Sequence, residues 1–140
     1  MRSAFAETPV SKRQFRIGVI IGGLLVAFLV FDIVVKLLML APAMEGTARL
    51  GYSQSLVLPI GVIELACLSV YLIPRTSVLG AILLTGYLGG AVASQVRAGN
   101  PLFTHELFPI YVAAMAWGSL LLRDERLRAL LPLRQDAPRP

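Results

Sequence analysis

The chain has 140 residues, 56% of them apolar and only 15% charged, with a net charge of +5 and a mean hydropathy of +0.75. Soluble domains carry roughly 25% charged residues, so this chain cannot cover a water-facing surface. Disorder is excluded because far too much apolar side chain would stay unburied. A bilayer is the solvent that suits this composition. In a soluble chain the basic excess would suggest nucleic acid. Here Lys and Arg crowd the flanks of apolar stretches, which is a membrane-orientation pattern, and no nucleic-acid partner is expected. The single cysteine, Cys67, permits no internal disulfide and no CxxC redox pair. With no histidine or cation beside it in sequence, it reads as a buried, inert thiol.

Residues 1–16 form a basic leading segment, and the first apolar span follows at 17–41, interrupted by Asp32 and Lys36. Its basic start and Ala41-Pro42-Ala43 imitate a secretory signal with a cleavage site, but the two charges break the apolar run, so the span is expected to stay. The second span is 56–73, containing Glu64; the third is 78–96; the fourth is 105–122. Each is close to the ~20 residues a helix needs to cross ~30 Å of hydrocarbon. Helices are expected because lone strands in lipid leave backbone groups unpaired, and no period-two alternation of a barrel is present.

Pro42, Pro74 and Gly99-Asn100-Pro101 mark the breaks between spans. Thr104 is the expected N-cap of the fourth helix, with Glu106 in its first turn. Short linkers make consecutive helices antiparallel neighbours. The fold class is therefore an all-α, polytopic, antiparallel four-transmembrane-helix bundle over 17–122. A basic tail follows at 123–140, in which Leu127, Leu130 and Leu131 suggest a short interfacial helix and 135–140 are expected to be disordered. Tyr52, Tyr71 and Trp117 fall near span ends, as interfacial anchors do.

Orientation follows from the basic residues. Arg2, Lys12, Arg13, Arg16, Arg75, Arg123, Arg126, Arg128, Arg134 and Arg139 fall on one side, against Arg49 and Arg97 on the other. The positive-inside rule then places both termini in the cytoplasm.

Charges inside hydrocarbon cost about 2.5–3.5 kcal/mol each on insertion scales and point to function. Asp32 and Lys36 are four apart and share one helix face. Glu64 has no opposite charge at helical spacing, so its partner must come from elsewhere. At 1.5 Å per residue, Asp32 and Glu64 lie about 13 and 12 Å from the outer face, and Lys36 about 7 Å. The three groups can therefore converge in the outer half of the bundle. Two carboxylates and one ammonium leave one negative charge in excess, which a proton retained on Glu64 would remove. A set of this kind can serve as an acid/base pair, a proton relay, a counter-ion for a ligand, or a lock between two helices.

Gln95, Arg97, His105 and Glu106 add polar groups around the same mouth, and Tyr87 and Thr85 can bond into the centre. One histidine with scattered carboxylates makes a poor metal site, and no bound metal is expected. Gly86, Gly90 and Ser94, with Gly89 and Ala93 beside them, read as close packing within the bundle, as do Gly18 and Gly22.

The residues resemble the DoxX-like family of small four-helix bacterial membrane proteins over about residues 17–133. The resemblance is carried by Phe31-Asp32 with Lys36-Leu37, by Leu50-Gly51-Tyr52, and by Gly61-Val62-Ile63-Glu64-Leu65-Ala66-Cys67. It continues through Tyr71-Leu72-Ile73-Pro74-Arg75-Thr76, Leu79 to Ala91, Leu102-Phe103-Thr104-His105 with Leu107-Phe108-Pro109, Trp117, and Leu122-Arg123-Asp124. The resemblance implies a bacterial cytoplasmic-membrane protein. A relative associated with thiosulfate:quinone oxidoreductase and others linked to oxidative-stress complexes imply redox-complex subunits as partners. Asp32, Lys36, Glu64 and His105 fall on the family's polar positions, whereas many members carry histidine where this chain has Gln95.

Three functions remain open on this reading. The first is an accessory subunit or a protein binding a small hydrophobic ligand, a quinone or a lipid, through Asp32, Lys36, Glu64, Tyr87, Gln95 and His105, with Lys36, Tyr87 and His105 as donors for a quinone. The second is an intramembrane enzyme using the carboxylates for proton transfer. The third is a small transporter or proton channel.

Overall fold

A computed structural model describes residues 9–130. Among these residues the secondary structure is entirely helical, with α1 Lys12–Leu37, α2 Ala41–Arg49, α3 Val57–Leu72, α4 Ser77–Ala98, α5 Phe108–Arg123 and α6 Glu125–Leu130. Four helical stretches are long and apolar enough to cross a membrane: Lys12–Leu37, Gln54–Leu72, Ser77–Ala98 and Leu102–Arg123. They close a ring in which α1 packs on α5 and α3, and α4 packs on α3 and α5. Leu25, Leu29, Leu68, Leu84 and Ala116 fill its centre, each no more than 2% exposed. Outward lies a belt of exposed apolar side chains, including Ile20, Leu24, Phe31, Val62 and Ile82. In water such a belt would drive aggregation; against acyl chains it is the expected wall.

Several boundaries differ from the sequence reading. Helix α1 begins earlier than expected, because Ser11 closes a capping box: its hydroxyl accepts from the Gln14 N–H at 3.2 Å, and its N–H donates to the Gln14 side chain at 3.1 Å. It also ends earlier, at Leu37 rather than residue 41. A proline ring clashes with the carbonyl four residues before it, so Pro42 forbids helix through Leu38. The chain breaks at Met39, the only non-glycine with positive φ (50°) among the described residues. Pro42 then sits at the first turn of α2, where its missing N–H costs nothing. Helix α2 itself was not expected.

Thr104 caps nothing. Leu102–Glu106 forms a π-helical turn, with the Leu107 N–H reaching the Leu102 carbonyl at 2.9 Å, and α5 starts after it with Pro109 in its first turn. Glu106 thus stands before α5 rather than in it. In the tail, Asp124 Oδ1 accepts from the Arg126 and Leu127 N–H groups and starts α6. Leu127 is buried against the bundle, whereas Leu130 is 81% exposed. Leu131 and the expected disorder of 135–140 lie outside the described residues.

The aromatic anchors are also corrected. Tyr71 is buried and donates to the Ala116 carbonyl at 3.1 Å. Trp117 donates to Thr85 Oγ1 at 2.9 Å, so Thr85 faces α5 rather than the cavity described below. Tyr52 turns inward onto Ser94 at 2.8 Å. Cys67 is buried and unpaired, as the sequence suggested.

Candidate functional site

Glycines set the register that builds the site. A Cβ at Gly80 would fall 2.2 Å from the backbone of Tyr71, so α3 and α4 touch main chain to main chain just after the turn joining them. Seven residues from each contact, two helical turns on antiparallel partners, stand Glu64 and Tyr87. They meet: Tyr87 Oη donates to Glu64 Oε2 at 2.9 Å. On the other side of α3, a Cβ at Gly61 would fall 2.8 Å from Lys36 Cβ. This places Lys36 of α1 one turn from Glu64 and brings Asp32 level with it.

Lys36 Nζ is the hub. It lies 2.5 Å from Asp32 Oδ2, 2.6 Å from Glu64 Oε2 and 2.9 Å from Tyr87 Oη. Glu64 is 1% exposed, whereas the Asp32 side chain is 36% exposed. One ammonium between two carboxylates offsets much of the cost of burying each, because attraction strengthens as the dielectric falls. The depth match expected from chain arithmetic is therefore present, although both helix ends used in it moved. The long Lys36 stem takes up the offset.

Above the cluster lies a cavity of about 590 Å³, under α2 and the loops at that end of the bundle. Its walls are mainly apolar, with Phe28 and Leu29 from α1, Ile60 and Ile63 from α3, and Phe108 and Val112 from α5. The Phe28 and Phe108 rings meet edge to face at 5.4 Å and join α1 to α5 beside it. Asp32, Lys36, Glu64 and Tyr87 line it together with Gln95. His105 does not: it is exposed in the π-helical turn, with Nδ1 2.8 Å from Thr104 Oγ1, and is not part of the lining.

The sequence reading missed Thr47 and Leu50 of the α2 region, which roof the cavity, and the inward-facing Tyr52. Arg97 holds this roof from outside the lining, its guanidinium 4.7 Å from the centre of the Tyr52 ring and Nη2 donating to the Leu50 carbonyl at 2.7 Å. The interrupted apolar pattern at Pro42, followed by polar 45–49, was the available signal for α2.

The small-residue stripe on α4 is a second correction. Nothing lies within 4 Å of a Cβ built at Gly86, Gly89 or Gly90, so they do not pack within the bundle; Gly90 borders the cavity. The neighbour-facing side of α4 is instead Gly80, Ala81, Leu84 and Leu88. Gly18 and Gly22 do serve close packing, against Ser119 of α5, which is fully buried and donates to the Gly18 carbonyl at 2.8 Å.

Among known proteins, the model of the DoxX-like family matches residues 20–119, a stretch that includes the whole cluster. No curated protein and no solved structure matches the chain. The match spans most of the chain and agrees with four apolar helices in a bundle, so the protein belongs to the DoxX-like family and is a small multi-pass integral membrane protein.

Proposed function

We propose that this protein binds a small, mostly apolar molecule in the cavity, with the molecule's polar head resting on Asp32, Lys36, Glu64 and Tyr87. The observation that carries this reading is the position of the ionic cluster at the floor of an otherwise apolar cavity of about 590 Å³. Ligand sites typically measure about 300–1,000 Å³, with apolar walls and a few convergent polar groups. A lock between helices has no need of a cavity above it, nor of a carboxylate as exposed as Asp32. On the distribution of basic residues, the cavity lies toward the outer leaflet and the termini lie in the cytoplasm.

The test is mass spectrometry of small molecules released from protein purified in mild detergent. The wild type is expected to release one species well above the bulk-lipid background. Glu64→Gln is expected to lose it, and so is Ala91→Phe, which puts a ring into the cavity and leaves every charged residue in place. Absence of an enriched species from the wild type, or its equal retention in both variants, would overturn the reading.

A further inference from the structure

The hydrogen-bond inventory of the cluster narrows the chemistry of what can bind. A lysine ammonium has three N–H donors, and those of Lys36 are all committed, to Asp32 Oδ2, Glu64 Oε2 and Tyr87 Oη. The only hydroxyl proton of Tyr87 goes to Glu64 Oε2. With both carboxylates ionised, no donor in the cluster is left for a ligand.

Acceptors are left. Among the described residues, no donor reaches Asp32 Oδ1 or Glu64 Oε1. Two carboxylates against one ammonium also leave a negative charge to be met, and neither the α5 wall of Phe108, Pro109 and Val112 nor the rest of the lining adds a cation. Further out, Gln95 Oε1 already accepts from Asn100, and the Tyr52 and Ser94 hydroxyls are paired with each other, so the donors that remain on the lining are the Gln95 amide N–H groups and the Thr47 hydroxyl, outside the ionic cluster. Aromatic faces attract cations, and Phe28 and Phe108 stand on the cavity wall.

Building on the ligand-binding reading above, we propose that the ligand is a lipophilic amine: an apolar body carrying a protonated amine that donates to Asp32 Oδ1 and Glu64 Oε1. A quinone seated on the cluster fits poorly, because its carbonyl oxygens would face carboxylates whose neighbouring donors are spent, and a polar group buried without a partner is penalised.

The experiment is calorimetric titration of the purified protein in maltoside detergent at neutral pH. Its probes are phenylbutylamine, its neutral counterpart phenylbutanol, and decyl-ubiquinone. A charge-assisted hydrogen bond should make the amine bind about tenfold tighter than the alcohol, with the quinone weakest. Asp32→Asn, which keeps the shape of the side chain and leaves Lys36 paired to Glu64, should bring the amine-to-alcohol ratio close to one. If the alcohol or the quinone matches the amine in the wild type, the amine assignment falls while the cavity reading stands. If the variant leaves the ratio unchanged, the assignment to Asp32 falls. If no probe binds, both fall. The wild-type comparison stands even if the variant fails to fold.

Discussion

The two ends of this bundle are built from different materials. Toward the termini, α1 and α5 approach through Gly18, Gly22 and Ser119, and α3 and α4 through Gly80 and Tyr71, with Leu25, Leu68, Leu84 and Leu120 closing the middle. Toward α2, the same helices part around a cavity floored by charges. At the tight end the helices are joined by close contacts of small residues, whereas at the open end α1, α3 and α4 are joined through Lys36. The contrast teaches that close backbone contacts act as a ruler: Gly80 at the packed end and Gly61 beside the cluster fix the levels at which Glu64, Tyr87 and Lys36 meet.

This contrast can be broken from either side. The largest effect is expected from Lys36→Met, which leaves Asp32 and Glu64 facing each other without their cation. Removing one partner of a buried ion pair costs about 3–5 kcal/mol, to be read from reversible unfolding in mixed micelles. Adding Glu64→Gln to Lys36→Met should recover most of that loss. Failure to recover would mean that the ammonium stem, not its charge, holds the site.

Next is Gly80→Ala, which forces a methyl into the Tyr71 backbone. Overpacking typically costs about 1–3 kcal/mol, occasionally more. Because the ruler is displaced, the variant should also lose ligand binding at a cluster two turns away. A stability loss with unchanged binding would separate register from site.

A smaller effect is expected from Tyr87→Phe, which removes the hydrogen bond to Glu64 and an acceptor for Lys36, at about 1 kcal/mol. The smallest carries the opposite sign. Gly86→Ala meets open space and should stabilise α4 by up to about 1 kcal/mol through helix propensity. Destabilisation there would show that the small face of α4 is covered by something in the membrane.

Much of this architecture was legible because hydrocarbon imposes simple rules. Apolar length locates the spans, and a charge within one must find a partner at its own depth, which brought Asp32, Lys36 and Glu64 together on paper. What was not legible depended on tertiary choice. Spacing of small residues says where a helix could approach closely, not which face it turns inward, so Gly86 and Gly90 were misassigned while Gly80 was overlooked. Tyr71 and Trp117 were read by position along a span, yet each found a polar partner across the bundle, at Ala116 and Thr85. His105 was grouped with the site by its polarity, but the π-helical turn that turns it away has no sequence signature of its own. Helix α2 was masked by Pro42, read as a stop when it is also a start.

The account rests on an accessible chamber above a charged floor, and filling that chamber is its most direct test. Ala91 lines it from α4, one turn beyond Tyr87. In Ala91→Phe, calorimetric binding of phenylbutylamine should vanish while the unfolding transition stays within about 1 kcal/mol of the wild type, because the added ring enters the cavity that Ala91 lines. Undiminished binding in a folded Ala91→Phe protein would contradict the account, because the molecule would then be held somewhere else.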